Sequence, residues 1–336
     1  MLRVVVTCAF GLERLLAGEL RRLGFSDVDH ADGAVRGAGD WSLVRRASIG
    51  LRTGRRILVE LADWPARDLD QVAAGAEALV TSDPGIAALL DPRLTLGVYA
   101  RCSESALTDG GAVSRATLSG LLAGQHARGW ATSRTVRRDP ELPLRLRVRN
   151  DHAVLLMDVS GSDLDNRPRR DPKPVRATVA AGLAEVAGLR EWIFDPWPES
   201  SDAIAEWTDR LWGRGPNVDR DDWPFERLPG FPTETFEAER DAVVGVGITP
   251  RILTSWDDAR RIRDGLLIGC APSGWGPARW SVFGDRLKQT LPGWRVVLLA
   301  RGPDGARGLG LRPQVSRAVR DGAMQGTILG LDLWAH

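Results

Sequence analysis

The chain opens on an apolar, β-branched run, Leu2 to Phe10, which reads as a strand broken at Gly11. Leu12, Leu15, Leu16, Leu20 and Leu23 then recur at helical spacing, so a helix over 12–23 is predicted, closed by Gly24. A short strand at Ala34 to Arg36, a helix from Asp40 to Ala47 and a strand from Arg56 to Leu61 complete a small unit of the β-α-β-β type. Asp68 to Ala78 predicts a helix, followed by Ile86 to Leu90 and a strand at Thr95 to Ala100. A helix over Ala112 to Arg128 carries Leu118, Leu121 and Leu122 inward and Arg115 and Arg128 outward. Leu144 to Val148 and Ala153 to Ser160 alternate apolar and polar positions and face each other through the Asn150-Asp151 turn. The first 160 residues thus predict two α/β modules in tandem.

From Leu144 to Asp202 the pattern changes character, as at a seam between domains. The strand pair gives way to a basic, proline-containing link, an Ala-rich helix over Pro174 to Gly188, and an apolar strand, Trp192 to Pro196. Beyond it, Gly265 to Gly269 and Trp294 to Ala300 read as buried strands and Trp280 to Leu291 as an amphipathic helix. Val315 to Arg320 and Gly326 to Trp334 close the chain as a hairpin. Arg214 to Glu239 has low periodicity and many breakers and reads as an insertion over the second sheet.

Composition narrows the picture. With 336 residues, 43% of them hydrophobic, the chain is long enough for two or three domains with proper cores. The net charge of +1 leaves nucleic-acid contact to a local basic patch. The only lysines are Lys173 and Lys288, so such a patch is made of arginine, the better fork for phosphate. Cys8, Cys102 and Cys270 are scattered and do not cluster with the histidines, which argues against a zinc site or a disulfide framework. The opening residues carry no leader pattern and no 18-residue apolar stretch occurs, so a cytoplasmic protein without membrane contact is expected. No acid/base dyad, nucleophile triad or P-loop spacing is present. Of the 13 tryptophans only Trp41, Trp64 and Trp130 precede residue 190. The others read as core and loop anchors or as a stacking pocket for bases or a partner.

Particular phrases carry a resemblance. AFGLERLLAGELRRLGF at 9–25, DGAVRGAGD at 32–40, MDVSGSDLDNRPRR at 157–170 and PVRATVAAGLAEVAG at 174–188 occur in this order. They are similar to the phrases of the THUMP-domain rRNA and tRNA guanine-N2 methyltransferases. That resemblance implies an α/β protein with an N-terminal ferredoxin-like domain (1–62), a THUMP domain (63–162), a linker helix region (163–188) and a Rossmann-like class I methyltransferase domain (189–336). It implies structured RNA, rRNA or tRNA, as partner. Arg115, Arg128, Arg137, Arg138, Arg167, Arg169, Arg170 and Lys173 are the candidate phosphate contacts.

The chain departs from the family where the chemistry should be. The Gly-rich turn that lets backbone amides approach S-adenosylmethionine is replaced by Asp195-Pro196-Trp197-Pro198-Glu199-Ser200-Ser201-Asp202. The acidic residue expected after the second strand is missing from Val244 to Thr249, leaving Asp257 or Asp258 as its substitutes. The catalytic Asn-Pro-Pro-Tyr loop corresponds to Cys270-Ala271-Pro272-Ser273-Gly274-Trp275-Gly276, with Trp275 the available stacking ring. The expectation is a noncatalytic, RNA-binding pseudo-methyltransferase with no cofactor. One alternative is an active enzyme that holds S-adenosylmethionine through an atypical site at Asp195, Pro196 and Asp257, with Cys270, Pro272 and Trp275 as its degenerate catalytic loop. Another is an interaction subunit that pairs with a catalytic partner through the Trp-rich second half.

Overall fold

The computed structural model describes residues 1–160, 177–188, 192–194, 251–253, 255–272, 274–302 and 306–334, which form a mixed α/β structure on two sheets. In the first module β1 (Leu2–Thr7) leads into α1 (Glu13–Leu23), which ends where Gly24 turns to φ +102°. That left-handed residue closes the helix because its N–H reaches back to the carbonyls of Arg21 and Leu20. After β2 (Ser26–Ala31) and β3 (Ala34–Gly39), the Asp40 side chain accepts from the Leu43 N–H and starts α2 (Trp41–Gly50). β4 (Arg56–Pro65) follows. The order β2-β3-β1-β4, antiparallel throughout, is the ferredoxin-like arrangement.

The second module adds α3 (Leu69–Ser82), α4 (Pro84–Leu89), β5 (Leu96–Ser103), α5 (Gly110–Ala127), β6 (Leu142–Arg149) and β7 (His152–Asp158). Asn150 and Asp151, at φ 52° and 58°, make the tight turn between β6 and β7. The two modules do not form separate sheets. β7 pairs antiparallel with β4, so one seven-stranded sheet runs β2-β3-β1-β4-β7-β6-β5. β4 extends past Leu61 through a bulge between Glu60 and Ala62, where strict alternation breaks. The boundary expected after residue 62 therefore falls within a strand.

The second sheet follows α6 (Ala177–Ala187) and comprises β8 (Trp192–Phe194), β9 (Arg251–Leu253), β10 (Leu266–Cys270), β11 (Arg295–Arg301), β12 (Val315–Asp321) and β13 (Met324–Asp332). Between them lie α7 (Trp256–Arg260) and α8 (Pro277–Thr290). The spatial order is β12-β13-β11-β10-β8-β9, parallel from β9 to β11 and antiparallel in the closing hairpin. The strand beside β8 is Arg251–Leu253. Val244 to Thr249, where that strand was expected, and the insertion at 214–239 lie outside the described residues.

The two sheets share a core. Leu12, Leu16 and Leu20 of the first module lie in one apolar cluster with Val179, Ala184, Leu266, Ile268, Val297, Val319 and Ile328 of the second half. Above it, Phe10 and Arg320 exchange two backbone hydrogen bonds of 3.0 and 3.1 Å, and the Arg320 guanidinium sits 4.3 Å from the Phe10 ring centre. Gly11, at φ +93°, has the Ala318 carbonyl where a Cβ would stand, so the backbone approach needs glycine. Arg55 donates to the fully buried carboxylate of Asp321 at 2.9 Å. The N-terminal module is thus fastened to the last hairpin of the chain.

Candidate functional site

In an open sheet with parallel strands the natural ligand crevice lies at the strand ends, where the chain switches sides. Here that point is β8, flanked by β9 and β10. Cys270 is the last residue of β10, only 8% exposed and in register with Leu299. The Ala271 N–H donates to the Leu299 carbonyl at 3.0 Å, and its own carbonyl accepts from Arg301 Nε at 3.4 Å. Pro272 is half-buried. Trp275 packs edge-on against Trp280 (5.2 Å between ring centres) and Phe283 (5.5 Å). Trp256 joins the same cluster through Phe283, with Arg286 4.1 Å over its ring. Of the acidic pair after β9, Asp258 exchanges hydrogen bonds with Ser255 at the start of α7 (2.7 and 3.1 Å), while Asp257 is exposed. Asp195 and Pro196 lie outside the described residues.

The residues that the resemblance assigns to S-adenosylmethionine at Asp195 and Pro196 lie outside the described residues, so the described strand ends bear on the catalytic loop alone. At the end of β10 the nearly buried Cys270 thiol is a weak acceptor for an exocyclic amine, while the Ala271 carbonyl accepts from Arg301 and keeps a second lone pair. Asp258 is occupied by its helix cap, and the indole at 275 is locked among core rings. Among the described residues, no group of three or more His, Cys, Asp or Glu could hold a metal ion.

A different arrangement stands on the first sheet. In β6, Leu142, Leu144, Leu146 and Val148 are buried on the face that packs with Val72 and Leu121 of α3 and α5, which sends Arg145, Arg147 and Arg149 to the opposite face. Register sets Tyr99 of β5 beside Arg145 and Arg101 beside Arg147. Across the sheet the same face carries Arg36 of β3 and a small apolar cluster of Val5, Leu58 and Leu156. Asp158 is buried and accepts from both Arg56 (2.9 Å) and Arg145 (2.8 Å), with the Ser160 hydroxyl donating to its second oxygen at 2.7 Å. Arg149 pairs with Glu104 and Arg3 with Glu60. Arg36, Arg101 and Arg147 are exposed and have no ion-pair partner among the described residues. Burial of its stem, then the charges of Arg145, Arg36 and Arg101, hold the Arg147 guanidinium below the usual arginine range. Tyr99 is 40% exposed, its hydroxyl donates to the Arg137 carbonyl at 3.1 Å, and Arg145 lies 5.6 Å from its ring centre.

The residues expected to contact RNA fall into separate groups. Arg137 and Arg138 lie on the segment that runs beside β5, joined to the arginine face through Tyr99. Arg115 is exposed on α5, on the other side of the sheet. Arg128 donates to the carbonyls of Val80 and Thr81, closing the last turn of α3, and rests 5.3 Å from the Trp130 ring. Arg167, Arg169, Arg170 and Lys173 lie outside the described residues. Sequence reasoning overlooked Arg36, Tyr99, Arg101, Arg145 and Arg147. The signal was the outward half of LRLRVR, whose every polar position is arginine.

Residues 3–58 match the family model of the RlmL ferredoxin-like domain. Over 376 residues the chain is 24% identical to the ribosomal RNA large subunit methyltransferase K/L of Pseudomonas putida strain W619, covering 95% of this chain and 50% of that protein. Its homologues are ribosomal RNA large subunit methyltransferases. The chain spans about half the length of the curated relatives it matches. Among solved structures, SMU.472, described as a methyltransferase and complexed with SAH, superposes with a TM-score of 0.83 at 18% identity, covering 100% of this chain and 99% of that one. TrmN from Thermus thermophilus superposes with a TM-score of 0.68 at 22% identity, covering 99% and 100%. At these identities the likeness is one of fold, and it extends over both halves of the chain. Among the described residues, no helix is long and apolar enough to cross a membrane.

Proposed function

We propose that this chain is a cytoplasmic RNA-binding protein of THUMP-methyltransferase architecture, with ribosomal or transfer RNA as its partner, in which guanine-N2 methyl transfer has been lost. The observation that carries the RNA reading is the set of arginines on the open sheet face, with Arg101 and Arg147 side by side and without a carboxylate partner among the described residues. Like charges held this close repel one another, and a polyphosphate chain removes that repulsion while releasing its own counterions. The homologues that act on ribosomal RNA support the same partner. The loss of transfer rests on the end of β10, where the Cys270 thiol stands in place of a strongly accepting side-chain amide and Trp275 packs against Trp280 and Phe283.

One observation favours a second reading, an active S-adenosylmethionine-dependent RNA methyltransferase. A structure complexed with SAH shares the fold over the whole chain. Isothermal titration calorimetry of the purified protein with S-adenosylmethionine and S-adenosylhomocysteine separates the two. No heat with either ligand, together with salt-dependent RNA binding, is the expected result. Micromolar binding of S-adenosylmethionine would establish the second reading.

A further inference from the structure

We infer that the arginine face of the first sheet takes an unpaired RNA strand over the β5–β6 edge, with Tyr99 as a base-stacking platform and Arg101 and Arg147 on its phosphates. The inference rests on the RNA-binding reading and deepens it.

Geometry selects the strand form. In the parallel β5–β6 register Tyr99 stands beside Arg145 and Arg101 beside Arg147, so the ring and the Arg101 and Arg147 guanidinium groups rise from one flat patch. The face is a pleated surface rather than a helix or loop, so it offers a run of side chains at even height and no element that enters a groove. Open sheets that bind RNA use such surfaces for splayed bases, which stack on an aromatic ring at the sheet.

Tyr99 has the properties this requires. It sits directly beside Arg145 in the parallel β5–β6 register, and its hydroxyl is tied to the Arg137 carbonyl, which fixes the ring without covering it. At 40% exposure it is among the few large apolar side chains left open to solvent in the described structure. The arginines divide into two kinds. Arg56 and Arg145 are fixed by the buried carboxylate of Asp158, which holds the β4, β6 and β7 strands in register. Arg101 and Arg147 have no such partner among the described residues and are available for phosphate.

The test uses the full chain and fluorescence anisotropy. The probes are a labelled oligoadenylate, a blunt RNA duplex of the same length, and unlabelled inorganic polyphosphate as competitor. The wild type should bind the oligoadenylate more tightly than the duplex. Tyr99→Leu should lose about tenfold toward the oligoadenylate, the loss of one stacked base, whereas Tyr99→Phe should retain affinity. Arg147→Gln and Arg101→Gln should each lower the slope of log affinity against log salt by about 0.7. Thermal melts check that each variant is folded, and the exposed Tyr99 and Arg101 positions keep the test open if one variant is not. Preference for the duplex would overturn the inference, as would unchanged binding by these variants while the wild type binds RNA. In either case the RNA reading itself stands and the contact lies elsewhere. Polyphosphate that competes as well as RNA, with Tyr99→Leu unchanged, would reduce the face to a simple polyanion site. Failure of the wild type to bind any RNA would overturn both readings.

Discussion

Two glutamates of the first helix illustrate how little a carboxylate's presence says about chemistry. Glu13 accepts from the N–H groups of Gly11 (2.9 and 3.0 Å) and Gly33 (2.9 Å), pinning the loop before the helix to the turn between β2 and β3. Glu19 is buried and accepts from the Arg52 N–H (2.9 Å) and the Thr53 hydroxyl (2.9 Å), organising the segment between α2 and β4. Burial raises the Glu19 carboxyl above its ordinary value, opposed by the hydrogen bonds from Arg52 and Thr53. The folded state therefore holds this proton more tightly than the unfolded chain does. Its stabilising contribution is complete below the ordinary glutamate pKa and is lost as pH rises through the raised folded value. Urea midpoints measured across that range should fall with pH in the wild type more than in Glu19→Gln, which cannot ionise. Glu19→Ala should lower stability at neutral pH by about 2 to 4 kcal/mol, because several buried donors lose their acceptor.

Helix packing is governed by what is absent. α5 lies against α3 through Val113, Thr117, Gly120, Leu121, Gly124 and Gln125. A Cβ on Gly120 would meet the Ala73 carbonyl, and one on Gly124 would lie 2.7 Å from Val80 Cβ. The glycines let the two backbones come together, so the inward face is set by small residues as much as by Leu121. Gly120→Val should push the helices apart and cost about 3 kcal/mol or more, read as a lower denaturant midpoint with an unchanged slope. The same logic governs β6, where alternate leucines fix one face against the helices and leave the arginines no other direction. A one-residue slip would bury all of those guanidinium groups, and the Arg56–Asp158–Arg145 triad guards against it.

Over the whole molecule, the first module and the last hairpin behave as one body. The Phe10–Arg320 backbone pair, the Arg55–Asp321 ion pair and a continuous apolar cluster join residues from opposite ends of the chain. Arg55→Ala removes an ion pair from the buried Asp321 carboxylate and should cost about 3 kcal/mol, with earlier proteolytic cleavage between the modules. Asp321→Asn should cost less, since it removes the uncompensated charge.

Short-range rules were enough for much of this architecture. Leucine spacing in 12–23, the Gly24 cap, the Asn150-Asp151 turn and the alternation of β6 and β7 are consequences of local geometry, and the structure shows each of them. The order of the motif phrases carried the ferredoxin-like start and the methyltransferase-like second sheet. Long-range registry was not legible. The extension of β4 past Leu61 depends on a bulge that breaks period two, and its pairing with β7 depends on a strand some ninety residues later in the chain. The neighbourhood of Arg101 and Arg147 is likewise a product of the parallel β5–β6 register, which no spacing along the chain reveals. Periodicity assigns a residue to a face, but only the tertiary pairing of strands decides which faces become neighbours. The sequence alone therefore determined the elements and their inward sides, and the fold decided which outward charges would meet.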